Sequence, residues 1–252
     1  MSIWGKVIGG VAGFSVGGPL GAILGVAAGH AYDKSNEEMS DPSGFQGGFN
    51  QQSKQVAFTT AIIVLGAKMA KADGRVTPDE VQAFKQVFQI PASEMAAVGR
   101  VFDEAKQEAT GFEPYASQIA DMFRFQPQVL EELLGGLFHI AKADGVIHPK
   151  EIEFLGNVAG IFGFDAHAFE RLKSIYLGDQ DGGGEDPYKV LDVDANISDK
   201  DLKKAYRRLI RENHPDKLMA DGMPEEFIKV ANEKMATINA AYDKIAKQRG
   251  LK

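Results

Sequence analysis

The chain has 252 residues, 44% of them hydrophobic and 25% charged, which suits two modest globular domains and excludes a wholly disordered polypeptide. It contains no cysteine, so disulfides, thiol catalysis and thiolate zinc sites are ruled out, and a reducing compartment is compatible. With 28 basic against 35 acidic residues the formal charge is −7, and general nucleic-acid binding is not expected.

Between Val7 and Tyr32 there is no Asp, Glu, Lys or Arg. At ~1.5 Å per residue a helix of about 25 residues reaches roughly 37 Å, enough to cross a ~30 Å hydrocarbon core with some tilt. Gly9, Gly13, Gly17, Gly21, Gly25 and Gly29 recur with a strict period of four, a smooth stripe along one helix face. In water each glycine costs a helix about 0.8–1 kcal/mol relative to alanine. In lipid the backbone has no alternative to the helix, and the stripe lets a second helix approach closely. A signal peptide wants a shorter apolar core and a stronger basic start than Lys6 alone, although Ala27, Ala28 and Ala31 resemble a cleavage site. The Val, Ile and Leu between the glycines argue against a flexible linker, and membrane helices tolerate a kink such as Pro19 introduces. Residues 1–33 therefore read as one transmembrane helix whose glycine face pairs with another copy to form a homodimer. The flanking charges, Lys6 before and Asp33, Lys34, Glu37 and Glu38 after, favour a cytoplasmic N-terminus only mildly.

Residues 34–53, rich in Gly, Ser and polar groups around Pro42, read as a tether. From 54 to 177 the apolar period is helical: Phe58, Ile62, Leu65 and Met69 share one face, and Val129, Leu133, Leu137 and Ile140 another. The segment Ala70–Val81 recurs as Ala141–Ile152, displaced by 71 residues with seven of twelve positions identical, so two similar helical hairpins are expected. The repeat has an Asp-Gly…Glu pattern like the back half of a calcium loop. Its first and third loop positions, however, are Met69 and Lys71 in one copy and Ile140 and Lys142 in the other, which excludes an EF-hand. The pattern is instead a helix stop followed by a helix start: glycine supplies a left-handed residue, and Thr77, Pro78 and Glu80 form an N-cap, N1 and N3 set. This region resembles the TerB-like domain associated with tellurite resistance. The resemblance implies metal binding through Asp73, Glu80, Asp144 and Glu151, and Lys150 in place of the acid Asp79 weakens that transfer.

Residues 178–185, with four glycines, read as a flexible joint. Beyond it, Asp186 and Pro187 open a short helix carrying Tyr188, Val190 and Leu191. Ser198, with Asp201 three residues on, caps a helix running to about Asn213. Lys200, Lys203, Lys204, Arg207, Arg208 and Arg211 form a continuous basic stripe on it, opposite Leu202, Ala205, Tyr206, Leu209 and Ile210. The stretch Ser198–Lys217 carries +3 and the remainder of the chain −10. Then come His214, Pro215 and Asp216, expected in an exposed turn after the helix C-terminus. A third helix, roughly 225–248, faces inward with Phe227, Ala231, Met235, Ile238, Ala241, Tyr242 and Ile245 and packs antiparallel on the basic one.

Asp186–Leu191, Ala205–Leu209 and His214–Lys217 together resemble a J domain, the signature of DnaJ-type co-chaperones, over residues 186–252. Two departures stand out: Asp192, where many members have glycine, and a longer connection through Met219–Pro224. The three-part chain resembles bacterial membrane-anchored DnaJ-like co-chaperones, all-α throughout. The resemblance implies binding to a DnaK-type chaperone through His214, Pro215, Asp216, Lys203, Tyr206, Arg207, Arg208 and Arg211, and stimulation of that partner's ATPase. No cofactor and no catalytic residue are expected. The five histidines, His30, His139, His148, His167 and His214, are dispersed, and there is no nucleophile elbow or phosphate loop. The competing reading is a TerB-like metal- or stress-sensing scaffold that recruits a chaperone. A cytosolic partner requires both domains to lie in the cytoplasm, below a bacterial inner membrane. The glycine stripe predicts a dimer of the full chain in mild detergent; a monomer by light scattering contradicts it.

Overall fold

A computed structural model describes residues 21, 51–72, 95–106, 110–143, 145, 147–178 and 186–251, and among them there is no β-strand. The proposed span and most of the tether lie outside the described residues. Among those described, no helix is long and apolar enough to cross a membrane.

Helix α1 (Gln51–Ala70) begins inside the segment read as a tether and is the hub of the first domain. Its expected face is buried, and so is the opposite one: every residue from Val56 to Ala70 is shielded from solvent. Thr59 and Thr60 tolerate this because their hydroxyls donate to the carbonyls of Gln55 and Val56. A helix apolar all round belongs at the centre of its domain. Around it pack α2 (Met95–Ala105), α3 (Glu113–Met122), α4 (Pro127–Ala141) and α5 (Pro149–Ile161). Helix α6 (Ala166–Leu177), capped by Asp165 accepting from the Ala168 N–H, lies against α4 and α5. The α4 face Val129, Leu133, Leu137 and Ile140 is wholly buried, as its spacing predicts.

The second copy of the repeat is described, apart from Asp144 and Val146. Gly145 takes φ +81°, its N–H donating to the Lys142 carbonyl just past α4, and His148-Pro149 then opens α5. The stop-and-start reading thus holds in this copy; residues 73–81 of the first copy lie outside the description.

The last third holds α7 (Pro187–Val190), α8 (Asp199–Glu212), α9 (Pro215–Asp221), a 3-10 turn (Glu225–Phe227) and α10 (Ile228–Arg249). Asp186 and Ser198 cap α7 and α8 as expected, accepting from the N–H groups of Tyr188 and Asp201. Helices α8 and α10 run antiparallel. Arg249, at the end of α10, reaches Asp199 at the start of α8 (3.0 Å), and Tyr206 stacks on Tyr242 at 4.0 Å and donates to Asn239 further back. Val190, Leu191, Leu202, Leu209, Ile238, Ala241 and Ile245 fill the core between them.

The architecture departs from the sequence reading in two places. Pro215 opens a helix of its own, α9, so His214 stands at a helix N-terminus; the long connection that follows is ordered by Gly222 and the 3-10 turn. The two globules, read as joined by a flexible stretch, share a core. Leu218, Met223, Phe227, Val230 and Ala231 join the cluster around α1, with Phe227 edge-on to Phe58 at 4.7 Å. The 179–185 joint itself lies outside the described residues. At Asp192 the backbone is left-handed, φ +54°, a conformation that glycine adopts freely and that aspartate is among the few side chains to tolerate.

Gly222 is held at φ +117°, and a Cβ there would stand 2.7 Å from Lys54 Cβ and 3.1 Å from the Phe123 ring. Left-handed strain and overpacking add, so Gly222→Val is expected to cost about 2–4 kcal/mol in urea-unfolding experiments.

Candidate functional site

The site is built on α8. Burial of Leu202 and Leu209 fixes the rotation of this helix, and the opposite face turns Lys200, Lys204, Arg207, Arg208 and Arg211 to solvent, with Lys203 half-buried at its edge. Tyr206 is half-buried, its ring stacked on Tyr242 and its hydroxyl donating to Asn239, contacts that tie α8 to α10. The helix ends at Glu212. Asn213 is buried there, its side-chain amide donating to the Leu209 carbonyl, and the chain turns directly into α9.

His214 is the N-cap of α9 in the extended conformation, and its Nδ1 accepts from the Asp216 N–H at 3.2 Å, leaving Nε2 as the donor of the neutral ring. Pro215 sits at N1, where its missing N–H costs nothing and its fixed φ suits the first turn. The Asp216 carboxylate lies 3.7 Å from His214 Nδ1; its side chain is 83% exposed and that of His214 52%. The three residues thus form a rigid, solvent-facing corner at the end of the basic stripe, on a helix start rather than in a loop.

The candidate metal residues are not brought into a site by anything described. Glu151 is 2% exposed, and its Oε2 accepts the His148 N–H as the reciprocal half of a cap. The described residues contain no cluster of three or more possible ligands. Asp73, Glu80 and Asp144 lie outside the described residues. His167 is exposed near Asp192, at 3.6 Å, and His139 is half-buried near Glu233, its pKa lowered by burial despite that neighbour.

One group was not anticipated. Lys234 on α10 is completely buried, with its ammonium 2.6 Å from Glu131 and 2.9 Å from Glu132 on α4, while Arg171 of α6 pairs with Glu131 from the other side. The spacing held a clue, since Lys234 falls on the same helical face as Ala231 and Ile238, where a lysine must either bend away or find a partner. Burial opposes ionisation of Glu131, but Lys234 and Arg171 outweigh it and hold its carboxyl below the ordinary range. Glu132 moves the other way, because its burial exceeds what Lys234 returns. Burial works against the Lys234 ammonium too, and the two carboxylates more than compensate, holding its pKa up.

A basic amphipathic helix leading into an exposed His-Pro-Asp corner, closed by a long antiparallel helix, defines a J-domain protein. Family models agree: residues 186–249 match the DnaJ domain, residues 59–174 the tellurite resistance protein TerB, and residues 1–52 the transmembrane domain of co-chaperone DjlA. The chain is 31% identical to a co-chaperone protein DjlA of Photobacterium profundum, covering 99% of this chain and 100% of the relative. It is 33% identical to those of Coxiella burnetii (98% of each chain) and Aliivibrio fischeri (100% of each). The chain belongs to the DjlA family of membrane-anchored J-domain co-chaperones. No solved structure matches it.

Because the folded-state pKa of Glu131 is depressed, the stability it supplies is present above its ordinary value of 4.5 and is lost as pH falls below that. Glu131→Gln is expected to cost about 1.5–3 kcal/mol at neutral pH and to flatten the acid limb of stability against pH. An unchanged acid limb in urea titrations would contradict this.

Proposed function

We propose that this chain recruits a DnaK-type chaperone to the bacterial inner membrane and stimulates its ATPase. The observation that carries the reading is the continuity of one exposed surface, from the cationic face of α8 to the His214-Pro215-Asp216 corner, with no other part of the described chain lying over it. Lys203, Arg207, Arg208 and Arg211 dock on an acidic chaperone surface and orient the encounter, an interaction weakened by salt. Tyr206 contributes by holding α8 in place. The corner then contacts the chaperone where nucleotide and substrate domains meet and biases that protein's conformational equilibrium, so ATP is hydrolysed entirely in the partner and this chain supplies no catalytic group.

The N-terminal 1–33 segment supplies the single span, and its glycine face pairs two copies. Because the chaperone is cytosolic, the domains of residues 54–177 and 186–252 lie on the cytoplasmic side.

In a single-turnover ATPase assay with DnaK, His214→Gln is expected to abolish stimulation while leaving the fold intact by circular dichroism. Stimulation equal to the parent chain refutes the assignment. Arg207→Ala with Arg211→Ala is expected to weaken association about tenfold at low salt, with the difference shrinking as salt rises.

A further inference from the structure

We propose that the TerB-like domain is the seat that completes the fold of the J domain and fixes the direction in which its His-Pro-Asp corner points, with Lys234 as the positioning residue. The inference rests on the J-domain reading for its functional consequence but not for its geometry.

Helix α10 is divided between two cores. Val230 and Ala231 are buried in the cluster around α1, whereas Ile238, Ala241 and Ile245 are buried against α7 and α8. The connection from the corner to α10 is seated in the same way. Leu218 of α9 is fully buried in the first core, Gln51 donates to the Met219 carbonyl at 2.9 Å, and Gln55 reaches the Met223 carbonyl at 3.4 Å. Without the first domain, Leu218, Met223, Phe227, Val230 and Ala231 would form a contiguous apolar patch open to water, which soluble modules rarely carry.

Apolar contact alone would let α10 slide or rotate on α4. The buried ammonium of Lys234 removes that freedom, because it reaches both Glu131 Oε2 and Glu132 Oε1 in this register, and sliding or rotation strands the ammonium dry and unpaired. The corner inherits this precision. His214 caps α9, and Leu218, one helical turn further on, is pinned to the seat. The basic face and the corner stay exposed, so the seat acts as a platform and not as a lid. Helix α1 begins within the last two residues of the stretch matching the membrane domain, so the element that leaves the anchor is also the one on which the corner's helix rests.

The absence of cysteine makes the test direct. Full-length chain carrying Asn157→Cys on α5 and Asp243→Cys on α10 is spin-labelled and reconstituted in lipid nanodiscs with a large excess of unlabelled chain, so that only distances within one copy are read, and the inter-label distance distribution is measured by pulsed electron resonance. The parent is expected to give one narrow distance, and Lys234→Ala and Leu218→Ala distributions roughly twofold broader with helix content retained. A broad parent distribution, or variants that both keep the parent's distance, overturns the proposal. If Lys234→Ala loses its helix signal, Leu218→Ala, which trims only an apolar contact, decides. ATPase stimulation of DnaK is measured on the same samples. A narrow parent distance without stimulation removes the co-chaperone mechanism and leaves the seat, while a broad distance with full stimulation does the reverse.

Discussion

The arrangement of the last third of the molecule depends on one buried cation. Taking the Lys234 ammonium out of water is costly, and the cost is met only where the carboxylates of Glu131 and Glu132 already converge. A salt bridge of this kind contributes little net stability over a well-packed apolar substitute. What it contributes is selectivity, because misaligned packings strand charges in a dry interior. Arg171 extends the cluster to α6, so three helices from two sequence-distant regions are fixed relative to one another.

The rest of the interface follows the logic of an ordinary core. Phe58 on α1 stands at its centre, edge-on to Phe123 from the α3–α4 turn and to Phe227 from the 3-10 turn, within one continuous hydrophobic cluster. Gly222 is needed at the seam because α1 and the Phe123 ring approach so closely that no side chain fits. The connection after the His-Pro-Asp corner, through Leu218, Met223 and Phe227, therefore binds the neighbouring domain together with the start of α10.

The functional surface needs both rigidity and exposure, and the two come from different elements. Exposure comes from α8, whose Lys200, Lys204, Arg207, Arg208 and Arg211 lie away from Leu202 and Leu209. Rigidity comes from its neighbours: the Tyr206–Tyr242 stack, the Arg249 contacts with Asp199, Ile197 and Ala195, and the α9 helix directly after the corner. A residue that must bias a partner's conformation is more effective when little of the binding free energy goes into ordering it first.

Local spacing along the chain was enough to determine the all-helical class, the second-copy stop and start around Gly145 and Pro149, the caps at Asp186 and Ser198, and the basic stripe leading to His214, Pro215 and Asp216. Each of these depends on residues within about four positions of one another, the range over which a helix brings side chains together. The same spacing marked Phe227, Ala231, Ile238 and Ile245 as inward-facing and assigned all four to the basic helix, which holds for Ile238 and Ile245 but not for Phe227 and Ala231, since a periodic face identifies a buried side and not its partner. Only tertiary packing assigned Phe227 and Ala231 to the first core and Ile238 and Ile245 to the second, and buried Lys234. Those outcomes depend on Phe58, Glu131 and Glu132, roughly a hundred or more residues away in sequence, and contacts of that range leave no periodic trace in the segment that makes them.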